Sequence, residues 1–284
     1  MEASEPRVAY VTSADGSRIG YEVVGEGPPL VVVHGTAADR TQWGPIRDGL
    51  AERFTVYLAD RRGRGLSLEE GDGTYSLDRE SEDISALVAE VGVPPYVFGH
   101  GFGGICVLKA AADGVEFHAI LLDDGPTGRP GPPQVPDDVA DRMEAPMEAG
   151  DPDGALEVFL REVVGLNEEQ VAGVRGTEMW QTRVGTVHTT LRETRCAGAY
   201  RRETEKLAGV EAPVRFVVGT ESTEPMREAA AAAHADMPQS ELVTLDGRLF
   251  TSMYADPDAT AREIGDWFLS KWARGQRSTT GNSR

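Results

Sequence analysis

The sequence has 284 residues, enough for one or two domains and for a core that needs no disulfide to hold it together. Its 28 basic and 47 acidic residues give a net charge of −19 at pH 7, so nucleic acid and anionic membranes are not expected partners. Two cysteines, Cys106 and Cys196, exclude a disulfide scaffold and a four-cysteine zinc site, and we expect no metal or cofactor. Neither a signal segment nor a run of about 18 apolar residues occurs, so we expect a cytoplasmic protein.

Strand and helix patterns alternate along most of the chain. Residues 5–26 alternate around an Asp15-Gly16 turn, which predicts a β-hairpin. Short apolar runs predict strands buried on both faces of a sheet, at residues 30–33, 55–58, 96–98, 119–122, 214–218 and 241–245. Helical patterns lie between them, at residues 77–91, 103–112, 225–235 and 256–274. This alternation predicts an α/β fold with a mainly parallel central sheet flanked by helices.

The alternation is interrupted once. Five prolines between Pro126 and Pro136 predict a loop, and helical periodicity without a strand candidate follows over residues 137–205. We therefore predict three parts, which are a core domain of residues 1–126 and 209–274, a helical cap of residues 127–208 and a disordered tail of residues 275–284.

Three motifs follow three successive predicted strands. They are His34-Gly35-Thr36, then DRRGRGLS from Asp60 to Ser67, and GHGFGG from Gly99 to Gly104, which opens a helix. In this order and spacing the set resembles the HG oxyanion loop, the D-x-R-G-x-G-x-S turn and the nucleophile elbow of the α/β-hydrolase family. The resemblance covers about residues 8–273 and implies the α/β-hydrolase fold, with the helical insert as the family's cap.

The sequence departs from the family pattern at two positions that carry chemistry. The centre of the elbow, where the family places its nucleophile, is Gly101, which has no side chain to form a covalent intermediate. The family's histidine follows the last strand, and Phe250 stands at the matching position. No histidine follows His234, which we expect to lie on a surface helix. The resemblance therefore implies a divergent member that lacks both groups.

Other candidate catalytic residues remain. Asp124, after a predicted strand, matches one location of the family's acid best, and Glu221 matches the other; for Asp124 a loop-capping role is the alternative. His34 and His100 are the imidazoles nearest the elbow and are candidate proton carriers, with loop geometry as the alternative.

The resemblance also implies a binding site around the elbow. The amides of Thr36 and Phe102 are where the family places its oxyanion donors, and glycine at position 101 opens space beside them. Aromatic side chains would supply apolar walls for an aromatic or polycyclic small molecule, with ordinary core packing as the alternative; these are Trp43, Trp180 and Phe250.

These features lead to a prediction of function with two alternatives. We expect a non-hydrolytic enzyme of the cyclase or lyase type, acting through pocket shape and backbone amides on a bulky intermediate of bacterial natural-product biosynthesis. The first alternative is an inactive relative that binds a small molecule or assists a partner enzyme. The second is a hydrolase in which Asp124 activates water. The oligomeric state stays open.

Overall fold

The computed structural model describes residues 6–124, 138–248 and 252–279, and all structural statements concern these residues. One eight-stranded sheet runs through the core. Its strands are β1 (Arg7–Thr12), β2 (Arg18–Val24), β3 (Pro29–Val33), β4 (Thr55–Ala59), β5 (Tyr96–His100), β6 (Ala119–Asp123), β7 (Val214–Gly219) and β8 (Ser240–Leu245). The predicted hairpin and all six predicted strands are present, but β8 is not buried as predicted, because it lies at the edge of the sheet and its residues are partly exposed.

The order of the strands is β1-β2-β4-β3-β5-β6-β7-β8. β1 and β2 pair antiparallel, β2 pairs antiparallel with β4, and every later pair is parallel. The chain leaves β3 toward β4 on one side and returns to β5 on the other. Loops that follow β3 and β5 therefore diverge at the carboxyl edge of the sheet, which is where open α/β sheets form a binding crevice.

Helices cover both faces of the sheet. The core helices are α1 (Gly44–Ala51), α2 (Leu77–Val91), α3 (Phe102–Ala112), α9 (Glu224–Asp236), α10 (Ser252–Ala255) and α11 (Pro257–Thr279), and a 3₁₀ turn (Arg40–Trp43) precedes α1. The α2 helix illustrates why apolar periodicity was sufficient to predict a helix, because capping residues mark both of its ends. Ser76 caps its first turn by accepting a hydrogen bond from the Arg79 amide, and Gly92 ends it with φ of 78°.

A helical segment separates β6 from β7. It contains α4 (Val139–Glu148), α5 (Pro152–Glu162), α6 (Glu168–Val174), α7 (Glu178–Ala199) and α8 (Thr204–Ala208), and residues 138–208 form no strand. A separate apolar cluster holds α4, α5 and α7 together around Met143, Leu156 and Trp180. We call residues 138–208 the cap; the exact domain limits stay a prediction, since the proline-rich loop lies outside the described residues.

Three observations bear on the remaining sequence predictions. Helix α11 continues to Thr279, so it includes the first five residues of the segment predicted to be a disordered tail, and residues 280–284 lie outside the described ranges. The 3₁₀ turn and α1, which precede β4, were not predicted. Asp39 caps the first and Pro45 lies at the start of the second, but the two segments have only four and eight residues, too few for a clear helical pattern. Among the residues described, no helix combines the length and the apolar character needed to cross a membrane.

Candidate active site

The sharp turn between β5 and α3 is built around Gly101. Its φ of 56° and ψ of −127° lie in a region that L-residues other than glycine rarely occupy. The Gly101 amide donates a 3.0 Å hydrogen bond to the Asp123 carbonyl of the neighbouring strand, and the Gly101 carbonyl accepts from Gly104. A Cβ at position 101 would meet only the Cα of Gly35, at 3.6 Å. The turn is therefore held from both sides, yet it leaves room for a side chain.

Two backbone amides border this turn. Phe102 is the first residue of α3, and amides in the first turn of a helix have no carbonyl partner within the helix. Thr36 follows Gly35 in the loop after β3, which passes beside Gly101. The positive end of the α3 dipole favours negative charge at this point. The predicted oxyanion donors are thus brought together at the carboxyl edge of the sheet.

Two cavities lie beside this loop. The elbow cavity, of about 60 Å³, is lined by core and cap residues, which are Gly35, Thr36, His100, Gly101, Phe102, Asp124, Phe159, Val163, Val164, Glu193, Thr194, Ala197 and Met226. The larger cavity, of about 260 Å³, is lined by Ala37, Ala38, Asp39, Thr41, Gln42, Glu178, Met179, Thr182, Arg183 and Tyr254. Because Thr36 and Ala37 are consecutive, the two cavities border the same loop.

Asp124 is one of two carboxylates that line the elbow cavity, and the other is Glu193. It follows β6, is 3% exposed and has a positive φ of 44°. Its Oδ1 accepts a 2.6 Å hydrogen bond from the Ser222 hydroxyl. Burial raises the pKa of Asp124 above its usual value, and hydrogen bonds from Ser222 and the Gly219 amide oppose that rise. The other candidate acid, Glu221, is exposed and lines neither cavity.

The adjacent carboxyl group, Asp123, adds to the electrostatics of this edge. Burial, together with the negative charge of Asp124, raises the pKa of Asp123 well above its usual range. Two neighbouring carboxyl groups in a desolvated environment do not both ionise easily, so the protonation of one depends on that of the other.

The two candidate histidines occupy different environments. His34 is fully buried; its Nε2 accepts from the Arg61 amide at 3.0 Å, so its Nδ1 carries the proton and donates to the Gly35 carbonyl at 2.8 Å. Burial and the charges of Arg64 and Arg61 lower the pKa of His34 well below its usual value. With both nitrogens bound to backbone, His34 fixes the loop and is not part of either cavity lining.

His100, in contrast, lines the elbow cavity. Its Nδ1 lies 3.1 Å from the Gln42 side-chain nitrogen, and an amide nitrogen can only donate, so Nδ1 is the acceptor. His100 is 2% exposed and its ring packs edge-on against Trp43. It is brought close to Asp124 and the two amides by the cavity they share.

The predicted aromatic walls do not meet at the elbow. Trp43 is fully buried against Phe98 in the core. Trp180 is buried in the cap, where its indole nitrogen donates to Asp153 at 2.5 Å. Neither tryptophan lines a cavity described above, and Phe250 lies outside the described residues. We therefore leave Trp43 and Trp180 out of the site.

A buried ion network, which sequence reasoning missed, joins the cap to the elbow. Glu193 of α7 is fully buried, and its carboxylate is 3.0 Å from the Arg61 guanidinium, which also contacts Glu80 at 2.6 Å. Arg61 donates to the Gly35 carbonyl at 3.3 Å, and its guanidinium lies 4.7 Å from the centre of the Phe102 ring. One arginine therefore contacts both segments that carry the amides, which are the loop after β3 and the start of α3.

Arg64 binds the same carboxylate and strengthens this connection. Its guanidinium contacts Glu193 and donates to the Ala38 carbonyl at 3.3 Å. The sequence held one signal for this arrangement, which is the helical spacing of small or polar buried residues in α7, namely Arg183, Thr186, Thr190, Glu193 and Thr194. A row of that kind marks a buried polar face.

Metal chemistry has no cluster to support it in the part of the chain described. Within residues 6–124, 138–248 and 252–279, no group of three or more histidine, cysteine, aspartate or glutamate side chains could hold a metal ion. Cys106 is fully buried in the core, where burial raises the pKa of its thiol well above the usual value.

Comparison with known proteins identifies the family. The profile of the alpha/beta hydrolase family matches residues 30–263. This chain belongs to the alpha/beta hydrolase family. A solved alpha/beta hydrolase from Sphaerobacter thermophilus is 31% identical, with a TM-score of 0.81 over 92% of this chain and 100% of that chain. An esterase from a Rhodococcus species is 25% identical, with a TM-score of 0.73 over 93% and 98%.

Curated alpha/beta hydrolases are matched over shorter stretches. An N-formylmaleamate deformylase from Pseudomonas putida is 35% identical over 122 residues, which is 42% of this chain and 46% of that protein. The matched part thus spans less than half the length of this relative. The predicted fold is confirmed by these comparisons. The predicted cyclase or lyase function is wrong, because the relatives are named as hydrolases and esterases, and an inactive relative or a role in antibiotic biosynthesis finds no support among them.

Proposed function

We propose that this alpha/beta hydrolase cleaves an ester or amide bond of a small molecule and uses water as the nucleophile, without an acyl-enzyme. The observation that carries the proposal is the pairing of Gly101 with Asp124 in one cavity. Glycine at the elbow offers no hydroxyl or thiol, so Asp124 is the group placed to act on a water molecule.

The proposal includes the two departures from the family. Gly101 takes the place of the nucleophile, and Phe250 takes the place of the histidine. The sequence supports the second point, since its last histidine is His234. On α9, the Nδ1 of His234 lies 2.7 Å from the Ser240 hydroxyl, so it is engaged at the end of that helix.

Each step of the reaction has a group to carry it. The Asp124 carboxylate takes a proton from water, and the water oxygen bonds to the carbonyl carbon of the substrate. The carbonyl oxygen becomes an oxyanion, which the amides of Thr36 and Phe102 stabilise. The carbon–oxygen or carbon–nitrogen bond then breaks, and Asp124 returns the proton to the leaving group. His100 borders the same cavity and is placed to contact the substrate.

The physical reasons favour Asp124 as the base. Burial raises its pKa, which makes it a stronger base than an exposed aspartate. Ser222 fixes the position of one carboxylate oxygen by donating a hydrogen bond to it. Rates should be modest, because hydrolases without their nucleophile retain roughly 10³–10⁴-fold acceleration over water from oxyanion and binding groups.

Two further predictions from the sequence concern the substrate and the location of the protein. A small-molecule substrate fits the relatives, since the deformylase named above acts on N-formylmaleamate. The aromatic or polycyclic substrate rested on Trp43 and Trp180, so the proposal does not extend to it. The cytoplasmic location stays part of the proposal.

The test compares ester turnover by the wild-type protein and two variants. We expect hydrolysis of a series of 4-nitrophenyl esters without a pre-steady-state burst, resistance to a fluorophosphonate probe, and loss of at least about 90% of turnover in Asp124→Asn. Glu221→Gln removes the exposed alternative acid and should leave turnover unchanged. A stoichiometric phosphonyl adduct that abolishes turnover, full activity of Asp124→Asn, or no turnover of any ester would refute the proposal.

A further inference from the structure

The cap and α9 supply the apolar wall of the elbow cavity. Their apolar lining residues are Phe159, Val163, Val164, Ala197 and Met226. Phe159, on α5, is the largest of these side chains and is only 5% exposed. It belongs with Val164 to the apolar cluster that holds the cap helices together. The packing of the cap therefore fixes this wall in place.

The elbow cavity is also small, with a volume of about 60 Å³. One water molecule needs at least about 10–15 Å³ of cavity space, so this volume takes roughly four to six groups of that size. The reacting carbonyl and the water that attacks it occupy part of the space. What remains suits an acyl chain of about two to four carbons, and the leaving group must then lie outside the cavity.

The charges of the lining favour a neutral acyl group. Asp124 and Glu193 contribute carboxylates, and the lining residues in the described part of the chain include no lysine or arginine. The charge of Glu193 is already compensated by Arg61 and Arg64, whereas the side chain of Asp124 is bonded to the neutral hydroxyl of Ser222. A carboxylate on the acyl chain would be desolvated beside another negative charge, which is unfavourable.

We infer that the elbow cavity is the acyl pocket, and that the substrate is an ester or amide of a short, uncharged aliphatic acid of about two to four carbons. This inference rests on the proposed function, which places the scissile carbonyl at the amides of Thr36 and Phe102. Phe159 sets the upper limit of chain length, because it is the largest side chain on the apolar wall. An open apolar groove would behave differently, since each added CH₂ would strengthen binding about fourfold.

The first test measures kcat/KM for 4-nitrophenyl acetate, butanoate, hexanoate and octanoate. For wild-type protein we expect the octanoate value to lie at least about tenfold below the butanoate value. Phe159→Ala removes most of the wall and should reduce this difference to about threefold or less. Phe159→Leu is a milder change that keeps the core filled, and it should improve hexanoate more than octanoate.

Leu160→Ala is the matched control for these variants. Leu160 follows Phe159 on α5, is 2% exposed and belongs to the same apolar cluster, but it lines neither cavity. Its truncation should destabilise the cap about as much as Phe159→Ala does and leave the chain-length profile unchanged. If Leu160→Ala shifts the profile equally, or if both Phe159 variants leave it unchanged in folded protein, the assignment of Phe159 is wrong.

A second test concerns charge. Methyl succinamate and monomethyl succinate have acyl chains of the same length and differ in a terminal amide and a terminal carboxylate. In a pH-stat assay at pH 7.5 we expect kcat/KM to be at least about tenfold higher for the neutral ester. An equal or higher value for the anionic ester would overturn the inference of an uncharged acyl group.

A binding test separates this inference from the proposed function. The ligands are 2-butanone, 2-pentanone and 2-nonanone, which carry a carbonyl but no leaving group. By NMR titration we expect affinity for wild-type protein to stop rising beyond 2-pentanone, and Phe159→Ala to restore a gain with length. This result without turnover of any ester would refute the proposed function and support the short pocket. Turnover that is undiminished up to the octanoate would overturn the short pocket and support the proposed function.

Discussion

The buried carboxylate of Glu193 provides the sharpest test of how the cap is attached. We consider Glu193→Gln, which keeps the shape and one acceptor oxygen but removes the charge. In the native protein two guanidinium groups, of Arg61 and Arg64, share this carboxylate, and all three side chains are at most 4% exposed. After the change, Glu80 alone would face Arg61, and the region would hold one uncompensated positive charge.

The expected loss follows from that charge. At the 3.0 Å separation of Arg61 and Glu193, one ion pair corresponds to about 5.5 kcal/mol at an effective dielectric constant of 20. Desolvation of the carboxylate, which the variant no longer has to maintain, offsets part of this energy. Loss of one partner from a buried pair typically costs about 3–5 kcal/mol, so we expect about 3 kcal/mol for Glu193→Gln. That is a large share of the about 5–15 kcal/mol that stabilises a typical protein.

The assay is urea unfolding with a matched control. Glu70→Gln breaks a second ion pair between cap and core, in which Arg192 lies 2.9 Å away and the two side chains are 27% and 21% exposed. This pair is half-buried and partly screened by solvent, so Glu70→Gln should lose clearly less stability than Glu193→Gln. Amide hydrogen exchange should also rise in α7 in Glu193→Gln but not in Glu70→Gln. If the two variants lose equal stability, the network is not a buried attachment and the reasoning is wrong.

Two further predictions concern the elbow. Gly101→Ser should fold with a loss of about 1–3 kcal/mol of stability, because the backbone there is strained for any residue with a side chain. Gly103→Ser should lose more, because its Cβ would lie 2.3 Å from the Val33 carbonyl oxygen. Urea unfolding midpoints compare the two variants, and equal losses would contradict the space inferred at Gly101. The raised pKa of Asp124 means that its contribution to stability is full at low pH and declines as pH rises through that pKa. Asp124→Asn should therefore be at least as stable as wild type at pH 7 in paired urea titrations at pH 4 and 7, and a variant clearly less stable at pH 7 would contradict the direction of the shift.

The sequence was informative wherever one local pattern decides the structure. The apolar runs and the Ser76 and Gly92 caps of α2 each specify their element without reference to distant residues. The site could be predicted only to the extent that it is local, as for Gly101 and Phe102 at the elbow. The charged contacts of the site could not be predicted, because the partners of Glu193 are more than 120 residues away in the sequence and an isolated charge in a helix is usually solvated. Trp43 and Trp180 line neither cavity, and the sequence could not show this, because a buried aromatic side chain serves core packing as well as ligand binding.

The backbone at the elbow connects these points. The direction of the Phe102 amide depends on the turn at Gly101 and on the start of α3, not on any side chain at position 101. Glycine could relax from φ of 56°, but the hydrogen bond to Asp123 and the close approach of Gly35 hold the turn in place. Arg61 then ties this turn to the Thr36 loop and, through Glu193, to the cap. Thr36 and Phe102 are therefore held at one cavity by contacts that involve no side chain at position 101, which is compatible with the proposed attack by water.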